Sequence, residues 1–192
     1  LINKPTGITS FDCIRQLRRS TGVKKIGHAG TLDPEASGLM LLLFGTACKQ
    51  ASQFSKMDKT YLAEITLGAT STTGDREREI TEVECPKSKV ESLTLDVSRS
   101  TLDWFVGTIE QIPSITSAIK IAGKEVYKYA RKGQEVEIPS RIVTIYSIKL
   151  IEYNYPILKI ESKVSSGTYI RSLAQDIGDK LGTGAYLSAL ER

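Results

Sequence analysis

The alternation of side-chain types in two segments constrains the fold more than any other feature of this sequence. In KTYLAEITLG, residues 59 to 68, every second side chain is apolar or aromatic, which is the period of a β-strand. The longer segment 141 to 167 is predicted to hold at least two strands, with a turn near residues 154 to 156. Strands that follow one another in hairpins favour a largely antiparallel sheet. The alternating residues of the first segment are Tyr61, Ala63, Ile65 and Leu67.

Three other segments have the apolar spacing of amphipathic helices, bounded by residues typical of helix ends. They are residues 10 to 22, 98 to 106 and 168 to 182, with Ser10 and Thr168 as candidate N-caps and Gly22, Gly107 and Gly182 at the ends. The side chains expected to face the core are Phe11, Ile14 and Leu17, then Leu102, Phe105 and Val106, and finally Ile170, Leu173, Ala174, Ile177 and Leu181.

Strands and helices in this mixture predict an α+β domain. The apolar run LMLLLFG, residues 39 to 45, fits a buried central strand, because it is short and bounded by glycine. Residues 115 to 133 indicate a strand, a turn at Gly123 and a short helix. No change in composition indicates a linker, so we expect residues 1 to 192 to form one domain.

Composition excludes several classes of protein. The longest apolar run has six residues, whereas a membrane-spanning helix needs about 20. The three cysteines never form a CxxC pair, so neither a disulfide framework nor a zinc site is indicated, and a reducing compartment fits best. The motifs of phosphate-loop, dinucleotide-binding and serine-hydrolase sites are absent, and one histidine excludes a histidine-rich metal site. Any catalysis therefore depends on carboxylate, tyrosine and basic side chains.

The net charge of +4 is concentrated in two clusters, residues 15 to 25 and residues 124 to 133. Lysine and arginine side chains that contact phosphates release counterions, so such clusters are typical of RNA-facing surfaces. They are equally typical of solvated helix faces, and charge alone does not separate the two interpretations. The candidates for contact with an RNA backbone are Arg18, Arg19, Lys24, Lys128 and Arg131.

The segment GHAGTLDPEASG, residues 27 to 38, contains the first candidate for chemistry. Asp33 precedes Pro34, and this pair is typical of a helix N-cap followed by the first helical residue. The alternative is a carboxylate nucleophile on a loop whose glycines, Gly27, Gly30 and Gly38, let the backbone approach a planar ligand. The local pattern leaves both interpretations open.

Arg171 is unexpected in the first turn of a predicted helix, where the dipole disfavours a cation by roughly 0.3 to 1 kcal/mol. A carboxylate such as Asp33, or an RNA phosphate, would satisfy its guanidinium, although an exposed arginine reaching into solvent is an equal alternative. Tyr61 and Tyr169 each fit a core position, and each also fits stacking on an extruded base.

Several motifs, taken in order, resemble those of the TruB family, the tRNA pseudouridine-55 synthases. GHAGTLDPEASGLMLLLFGTACK is similar to the catalytic-loop motif of that family, in which the aspartate of the LDP triplet is catalytic. The resemblance covers nearly the whole chain. The other matching segments are LINKPTGITS, DKTYLAEITLG, Asp75 after a threonine-rich stretch, QIPSITSAIKIAGKEVYKYARKG and SSGTYIRSLAQDIGDKLGTGAYLSALER.

The resemblance implies the α+β pseudouridine-synthase fold, with a mostly antiparallel mixed sheet, flanking helices and a central catalytic cleft. It implies an isomerase, free of metal and cofactor, that converts uridine 55 in the T-loop of tRNA to pseudouridine on a flipped-out base. A monomer in the cytoplasm, with tRNA as partner and no membrane association, is the corresponding expectation. The implied roles are Asp33 as nucleophile, Tyr61 against the base, Arg171 paired with Asp33, and His28, Lys59, Tyr169 and Leu190 as substrate-binding residues.

The chain departs from the family pattern at three positions. Ser114 and Thr116 stand where a second proline and an aromatic residue are common, and Glu191 replaces a basic residue. Bacterial members commonly continue into a small PUA-like RNA-binding domain, which we expect to be absent here. A guide-RNA-dependent, dyskerin-like synthase is one alternative, although DKTYLAEITLGA fits the stand-alone branch better. A module that binds or folds tRNA is another.

Overall fold

The computed structural model describes residues 1 to 192 except 77–78, 85–93, 115–116, 118–119, 122–123 and 127–137. In chain order, the described elements of the first part are β1 (Ile2–Lys4), α1 (Ser10–Thr21), β2 (Ile26–His28), β3 (Gly38–Met40), β4 (Leu42–Phe44), a 3₁₀ helix (Gly45–Gln50), α2 (Ala51–Ser55), β5 (Lys59–Leu67), β6 (Ala69–Ser71) and β7 (Ile80–Glu82). They continue with α3 (Leu95–Trp104), β8 (Gly107–Gln111), β9 (Lys120–Ile121), β10 (Lys124–Glu125), β11 (Arg141–Asn154), β12 (Ile157–Val164), α4 (Ile170–Leu181) and β13 (Ala185–Glu191).

A five-stranded sheet in the order β13-β5-β12-β11-β8 forms the centre of the molecule, and every neighbouring pair in it is antiparallel. The alternation predicted for residues 59 to 68 is confirmed, because Tyr61, Ala63, Ile65 and Leu67 are buried and Leu62 is exposed. The predicted hairpin is also confirmed, since β11 and β12 are paired on either side of residues 155 and 156. The remaining described ladders are two-stranded and antiparallel.

The apolar run 39 to 45 does not form one central strand, and that prediction was wrong. It is divided between β3, which pairs with β1, and β4, which pairs with β2. Leu39 and Phe44 are exposed, whereas Met40, Leu42 and Leu43 are buried. The run therefore contributes to two short ladders, and Leu41 lies between them.

Helix α1 has the predicted extent, but its first cap was misassigned. Thr9, not Ser10, is the N-cap: its side chain accepts a hydrogen bond from the backbone of Asp12, whose carboxylate accepts one from Thr9 in return. Gly22 ends the helix in a left-handed conformation, as predicted. Phe11 is exposed instead of facing the core, and lies beneath the guanidinium groups of Arg15 and Arg18.

Helix α3 begins and ends earlier than the predicted 98 to 106. The side chain of Thr94 accepts a hydrogen bond from the backbone of Val97 and so starts the helix at Leu95. Leu102 and Phe105 are buried as expected, but Val106 is exposed, because the chain turns there to enter β8. Gly107 opens that strand and does not end the helix. Most of the predicted elements between 115 and 133 lie outside the described residues.

Helix α4 packs against the sheet through the predicted stripe, and Leu173, Ala174 and Ile177 have no exposed surface. Their neighbours in the core include Ile65 and Leu158 from the central strands. This packing fixes the N-terminal end of α4 relative to β5 and β13. Among the described helices, none is long and apolar enough to cross a membrane.

Asp176 on α4 gives the fold a pH-dependent stability. Burial, followed by the negative charge of Asp179, raises the pKa of Asp176 from its ordinary 3.8 to about 6. The folded state therefore binds this proton more tightly than the unfolded state, and the free energy of unfolding decreases as the pH rises from about 4 to about 6. We expect Asp176→Asn to flatten this dependence and to stabilise the protein at pH 8 by about 1 kcal/mol, allowing for solvent screening.

Guanidinium denaturation of both proteins at pH 5 and pH 8 measures the Asp176 effect. Asp103→Asn, at an exposed position of α3, is the matched control and leaves the pH dependence unchanged. If the free energy of unfolding of Asp176→Asn keeps the pH dependence of the parent, Asp176 is not the group responsible for that dependence.

Candidate active site

A cleft of about 330 Å³ opens between the loop that carries Asp33, the start of β5 and the N-terminal end of α4. Five predicted site residues besides Asp33 line it: Lys59, Tyr61, Tyr169, Arg171 and Leu190. These residues come from segments that are far apart in the sequence, and the packing of α4 and β13 on β5 brings them together. Its other lining residues include Gly30, Thr31, Leu32, Ser117, Ser165, Gly167 and Arg192.

The backbone on both sides of Asp33 is anchored by the first ten residues of the chain. The hydroxyl of Ser10 donates to the carbonyl of Leu32 and accepts from its N–H, each at 2.9 Å. On the other side, the carbonyl of Pro34 accepts from the Nζ of Lys4 at 3.0 Å and from the N–H of Gly7 at 2.9 Å. Ser10 therefore secures the loop and does not cap α1.

Asp33 does not cap a helix, because residues 34 and 35 form only a turn. Its carbonyl accepts a hydrogen bond from Ala36, while 46% of its side-chain surface remains exposed. Gly38 has a φ of 105°, and a Cβ there would lie 2.4 Å from the carbonyl oxygen of Arg192. That glycine accommodates the end of β13, so the expectation that it admits a ligand was wrong.

Lys4 is fully buried, and burial lowers the pKa of its ammonium group against the attraction of Cys13, Asp33 and Glu35. Its three hydrogen bonds go to the carbonyls of Pro5, Ile8 and Pro34.

We expect Lys4→Met to destabilise the protein by about 3 kcal/mol, because it leaves buried carbonyls without donors. Thermal and chemical denaturation measure this loss, with Lys24→Met at an exposed site as the control. Equal stability of the two variants contradicts an anchoring role for Lys4.

The guanidinium of Arg171 lies between two carboxylates. Its Nε is 3.4 Å from Oδ2 of Asp33, and its Nη1 is 3.0 Å from Oδ2 of Asp75. The side chains of Arg171 and Asp75 are about nine-tenths buried, whereas that of Asp33 is half-exposed to the cleft. A buried ion pair thus holds one edge of the guanidinium, and another edge faces the accessible carboxylate. Arg171 does not reach into solvent.

Asp75 is held by a turn that precedes it. The hydroxyl of Thr73 donates to Oδ1 of Asp75 at 2.7 Å, and the carbonyl of Thr73 accepts from Nη1 of Arg171 and from Ser114. Gly74 has a φ of 78°, and a Cβ there would press on the side chain of Gln175. Ser114, one of the departures from the family pattern, therefore supports the turn beside Arg171. Thr116 lies outside the described residues.

Gln111 at the end of β8 binds both backbone groups of Tyr169, the residue that precedes the first turn of α4. Its side-chain amide accepts from the N–H of Tyr169 at 2.8 Å and donates to the carbonyl of Tyr169 at 3.0 Å. Thr168 is not the cap as predicted, because its hydroxyl donates to the carbonyl of Ser165. This clamp sets the positions of Tyr169 and, two residues later, Arg171.

Tyr61 and Arg192 meet at the wall of the cleft formed by β5 and β13. Burial raises the pKa of the Tyr61 hydroxyl, and the charge and hydrogen bond of Arg192 oppose this shift. Tyr61 is buried as a core residue and also borders the cleft, so the two interpretations of this residue are compatible. Leu190 and Tyr169 add an apolar side chain and a second ring to the walls.

The other predicted residues that the structure describes do not line the cleft. His28 on β2 is not among the described residues that line it; burial lowers the pKa of its imidazole. Arg18, Arg19 and Lys24 are exposed on or after α1, whereas Lys128 and Arg131 lie outside the described residues. Within the described part of the chain, no three His, Cys, Asp or Glu side chains form a metal-binding group.

Sequence reasoning assigned no role in the site to four residues that shape it: Lys4, Asp75, Gln111 and Arg192. Asp75 lies in a matching segment, but only its pairing with Arg171, 96 positions later, distinguishes it from a turn residue. Lys4 and Gln111 have no local signature, because their partners are backbone groups of distant segments.

Comparisons with known proteins agree on one family. The model of the N-terminal domain of the TruB family pseudouridylate synthases matches residues 18 to 170. The tRNA pseudouridine synthase B of Fusobacterium nucleatum is 48% identical, and the match covers all of this chain and 65% of that protein. That of Parabacteroides distasonis is 45% identical, with coverage of 99% and 82%. That of Dehalococcoides mccartyi is 45% identical and is covered over 62% of its length.

Solved structures support the same assignment. A chain from a crystal structure of a Cbf5-Nop10-Gar1 complex aligns with a TM-score of 0.74 and 27% identity, over 99% of this chain and 46% of that one. An archaeal box H/ACA Nop10-Cbf5 complex gives a TM-score of 0.68 and 25% identity. The α+β fold, the antiparallel sheet and the sequence matches over most of the length lead to one conclusion: this chain belongs to the TruB family of pseudouridylate synthases.

Proposed function

We propose that this chain isomerises one uridine in the T-loop of tRNA to pseudouridine, with Asp33 as the nucleophile. The reaction breaks the bond between N1 of uracil and C1′ of ribose, rotates the base, and joins C5 to C1′. N1 gains a proton and C5 loses one, so no atoms are added or removed. The relatives named tRNA pseudouridine synthase B support tRNA as the substrate.

One observation carries the proposal: the Asp33 carboxylate is half-exposed in the cleft, while the Arg171 guanidinium behind it is buried. A carboxylate that must attack a nucleotide needs an accessible oxygen and a fixed orientation. Arg171 orients the Asp33 carboxylate through an ion pair, and the hydrogen bonds to the backbone of residues 32 and 34 fix the loop that carries it. The covalent bond from Asp33 forms either to the base or to the ribose, and it breaks again before the product leaves, so the carboxylate is regenerated.

The walls of the cleft suit an extruded pyrimidine. The rings of Tyr61 and Tyr169 offer surfaces for stacking, and Leu190 adds an apolar contact. Burial raises the pKa of both hydroxyl groups, so at neutral pH each remains a neutral donor for a uracil oxygen. Contacts with Tyr61, Tyr169 and Leu190 also help to retain the detached base during rotation.

Asp75 is a positioning residue in this proposal, because it touches Arg171 and not the nucleotide. We expect Asp75→Asn to lower kcat by about 100-fold, since loss of the buried partner lets the guanidinium shift relative to Asp33. KM for tRNA stays nearly constant, because the cleft walls are unchanged. Single-turnover and steady-state kinetics separate the two parameters. A rise in KM at constant kcat contradicts the positioning role.

The exposed cations Arg18, Arg19 and Lys24 support binding of the tRNA backbone outside the cleft. Recognition then depends mainly on the shape of the folded T-arm, since phosphate contacts carry no sequence information.

The decisive experiment incubates the purified chain with an unmodified tRNA transcript, without guide RNA or other proteins. Carbodiimide treatment followed by mass spectrometry locates each pseudouridine. We expect one new pseudouridine in the T-loop. A requirement for a guide RNA favours a dyskerin-like synthase, and tight binding without any modification favours an RNA-folding module.

A further inference from the structure

Two cationic side chains, Lys59 and Arg192, share one wall of the cleft, and neither forms an ion pair with a carboxylate that the structure describes. Both line the cleft that contains Asp33. Among the described residues, the ion pairs involve other side chains, and neither Lys59 nor Arg192 is within 4.0 Å of a carboxylate oxygen. Unneutralised cations that face a concave site are typical of anion recognition.

The two side chains crowd against the same point of the cleft wall. A Cβ built on Gly30 would lie 3.2 Å from Nη1 of Arg192 and 3.5 Å from Cε of Lys59. Burial and then the charge of Arg192 lower the pKa of Lys59, and only Asp58 acts in the opposite direction. The like charges therefore repel one another at this place, and an anion between them would relieve that repulsion.

Backbone contacts hold both side chains in place before any ligand arrives. Arg192 donates from Nε to the carbonyl of Leu39 at 2.9 Å and from Nη2 to that of Gly30 at 3.4 Å. The Nζ of Lys59 donates to the carbonyls of Ser55 and Met57. An ammonium has three donors and a guanidinium five, so each group retains donors for a ligand. Such preorganisation lowers the entropic cost of binding.

We propose that Lys59 and Arg192 form a phosphate subsite, which grips one phosphodiester next to the uridine held at Asp33. This inference rests on the proposed function, because it takes RNA as the ligand. Extrusion of a nucleotide forces the backbone on each side of it toward the protein. A clamp on one of these phosphates fixes the ribose relative to the Asp33 carboxylate, which the tyrosine walls alone do not achieve.

A double-mutant cycle between protein and RNA tests the subsite. The protein carries Asp33→Asn to prevent turnover, alone or with Lys59→Met or Arg192→Gln. The RNA is a T-arm hairpin in which a neutral methylphosphonate replaces one of the two phosphates that flank the target uridine. The sugar next to the methylphosphonate carries a 2′-O-methyl group, so that no free 2′-hydroxyl can attack the neutral linkage. The reference hairpin has an ordinary phosphate at that position and the same 2′-O-methyl group. Equilibrium binding is measured at several salt concentrations.

We expect each variant to bind the reference hairpin about tenfold more weakly and to reduce the salt slope by roughly 0.7 to 0.9. At one flanking position, the methylphosphonate weakens binding by the parent protein but has little further effect on either variant. Lys149→Met, which removes an exposed charge on β11, retains the full methylphosphonate effect. These results together support the subsite.

Equal methylphosphonate effects on parent and variants at both positions overturn the inference while leaving the proposed function intact. Failure of the parent protein to bind the hairpin contradicts the proposed function as well, and is recognised before any variant is compared. Arg192 also holds the backbone of Leu39, so melting temperatures are compared first. Lys59→Met does not disturb the contacts of Arg192 with the backbone, so this variant alone tests the phosphate subsite if Arg192→Gln unfolds.

Discussion

Asp33→Asn is expected to lower pseudouridine formation by at least about 10⁴-fold, because the amide cannot form the covalent bond to the nucleotide. Binding of tRNA changes little, since the cleft walls and the exposed cations are retained. The side chain keeps its size, and its only ion pair among the described residues is the one with Arg171. Single-turnover assays with excess enzyme measure the chemical step, and filter binding measures affinity.

The control for this variant is Asp103→Asn, which removes one carboxylate from an exposed position of α3. It retains the activity and affinity of the parent. Turnover by Asp33→Asn within tenfold of the parent removes Asp33 as the nucleophile. Loss of activity together with loss of binding assigns Asp33 to substrate affinity and also contradicts the proposal.

For Arg171→Lys we expect a loss of about 10³-fold in kcat, although the positive charge is kept. The guanidinium spans from Asp33 to Asp75 through two different nitrogens, and its Nη1 also contacts the carbonyl of Thr73. A single ammonium on a flexible stem does not occupy both positions. The Asp33 carboxylate then loses its orientation, and the buried Asp75 loses part of its pairing.

The thermal stability of Arg171→Lys is measured beside its kinetics, because the side chain is buried. Arg99→Lys on the exposed face of α3 is the control. A folded Arg171→Lys protein with low kcat and nearly unchanged KM fits a positioning role toward Asp33. If the kinetics of this variant lie within a few-fold of those of the parent, the two contacts of the guanidinium group with Asp33 and Asp75 are not needed for catalysis.

The long elements were predictable because their signals are local. The alternation in β5, β11 and β12 and the apolar stripe of α4 arise from the repeat of each structure and need no knowledge of the partner. The run from 39 to 45 was misread, because which ladder an apolar residue joins depends on segments elsewhere in the chain. Ser10 and Thr168 were misassigned as caps for a similar reason, since each hydroxyl found another backbone partner.

The candidate site was predictable only in part. Asp33, Arg171 and Tyr61 were singled out by an unusual local context or by the family resemblance, and the structure places them around one cleft. Asp75 was part of the family resemblance but carried no implied role, and Gln111 and Arg192 gave no signal, because each of the three acts through a partner distant in the sequence.

Sequence alone determined the periodic elements, the membership of the TruB family and the identity of a few chemically unusual residues. Only the tertiary structure decided that Arg171 bridges two carboxylates, that Lys4 and Ser10 anchor the loop of Asp33, and that Lys59 and Arg192 both lie near Gly30 in the cleft wall. The physical reason is that the two kinds of interaction act over different separations along the sequence. Backbone periodicity and capping act within a few residues, whereas ion pairs and buried hydrogen bonds join groups that only the folded chain brings within about 3 Å of each other.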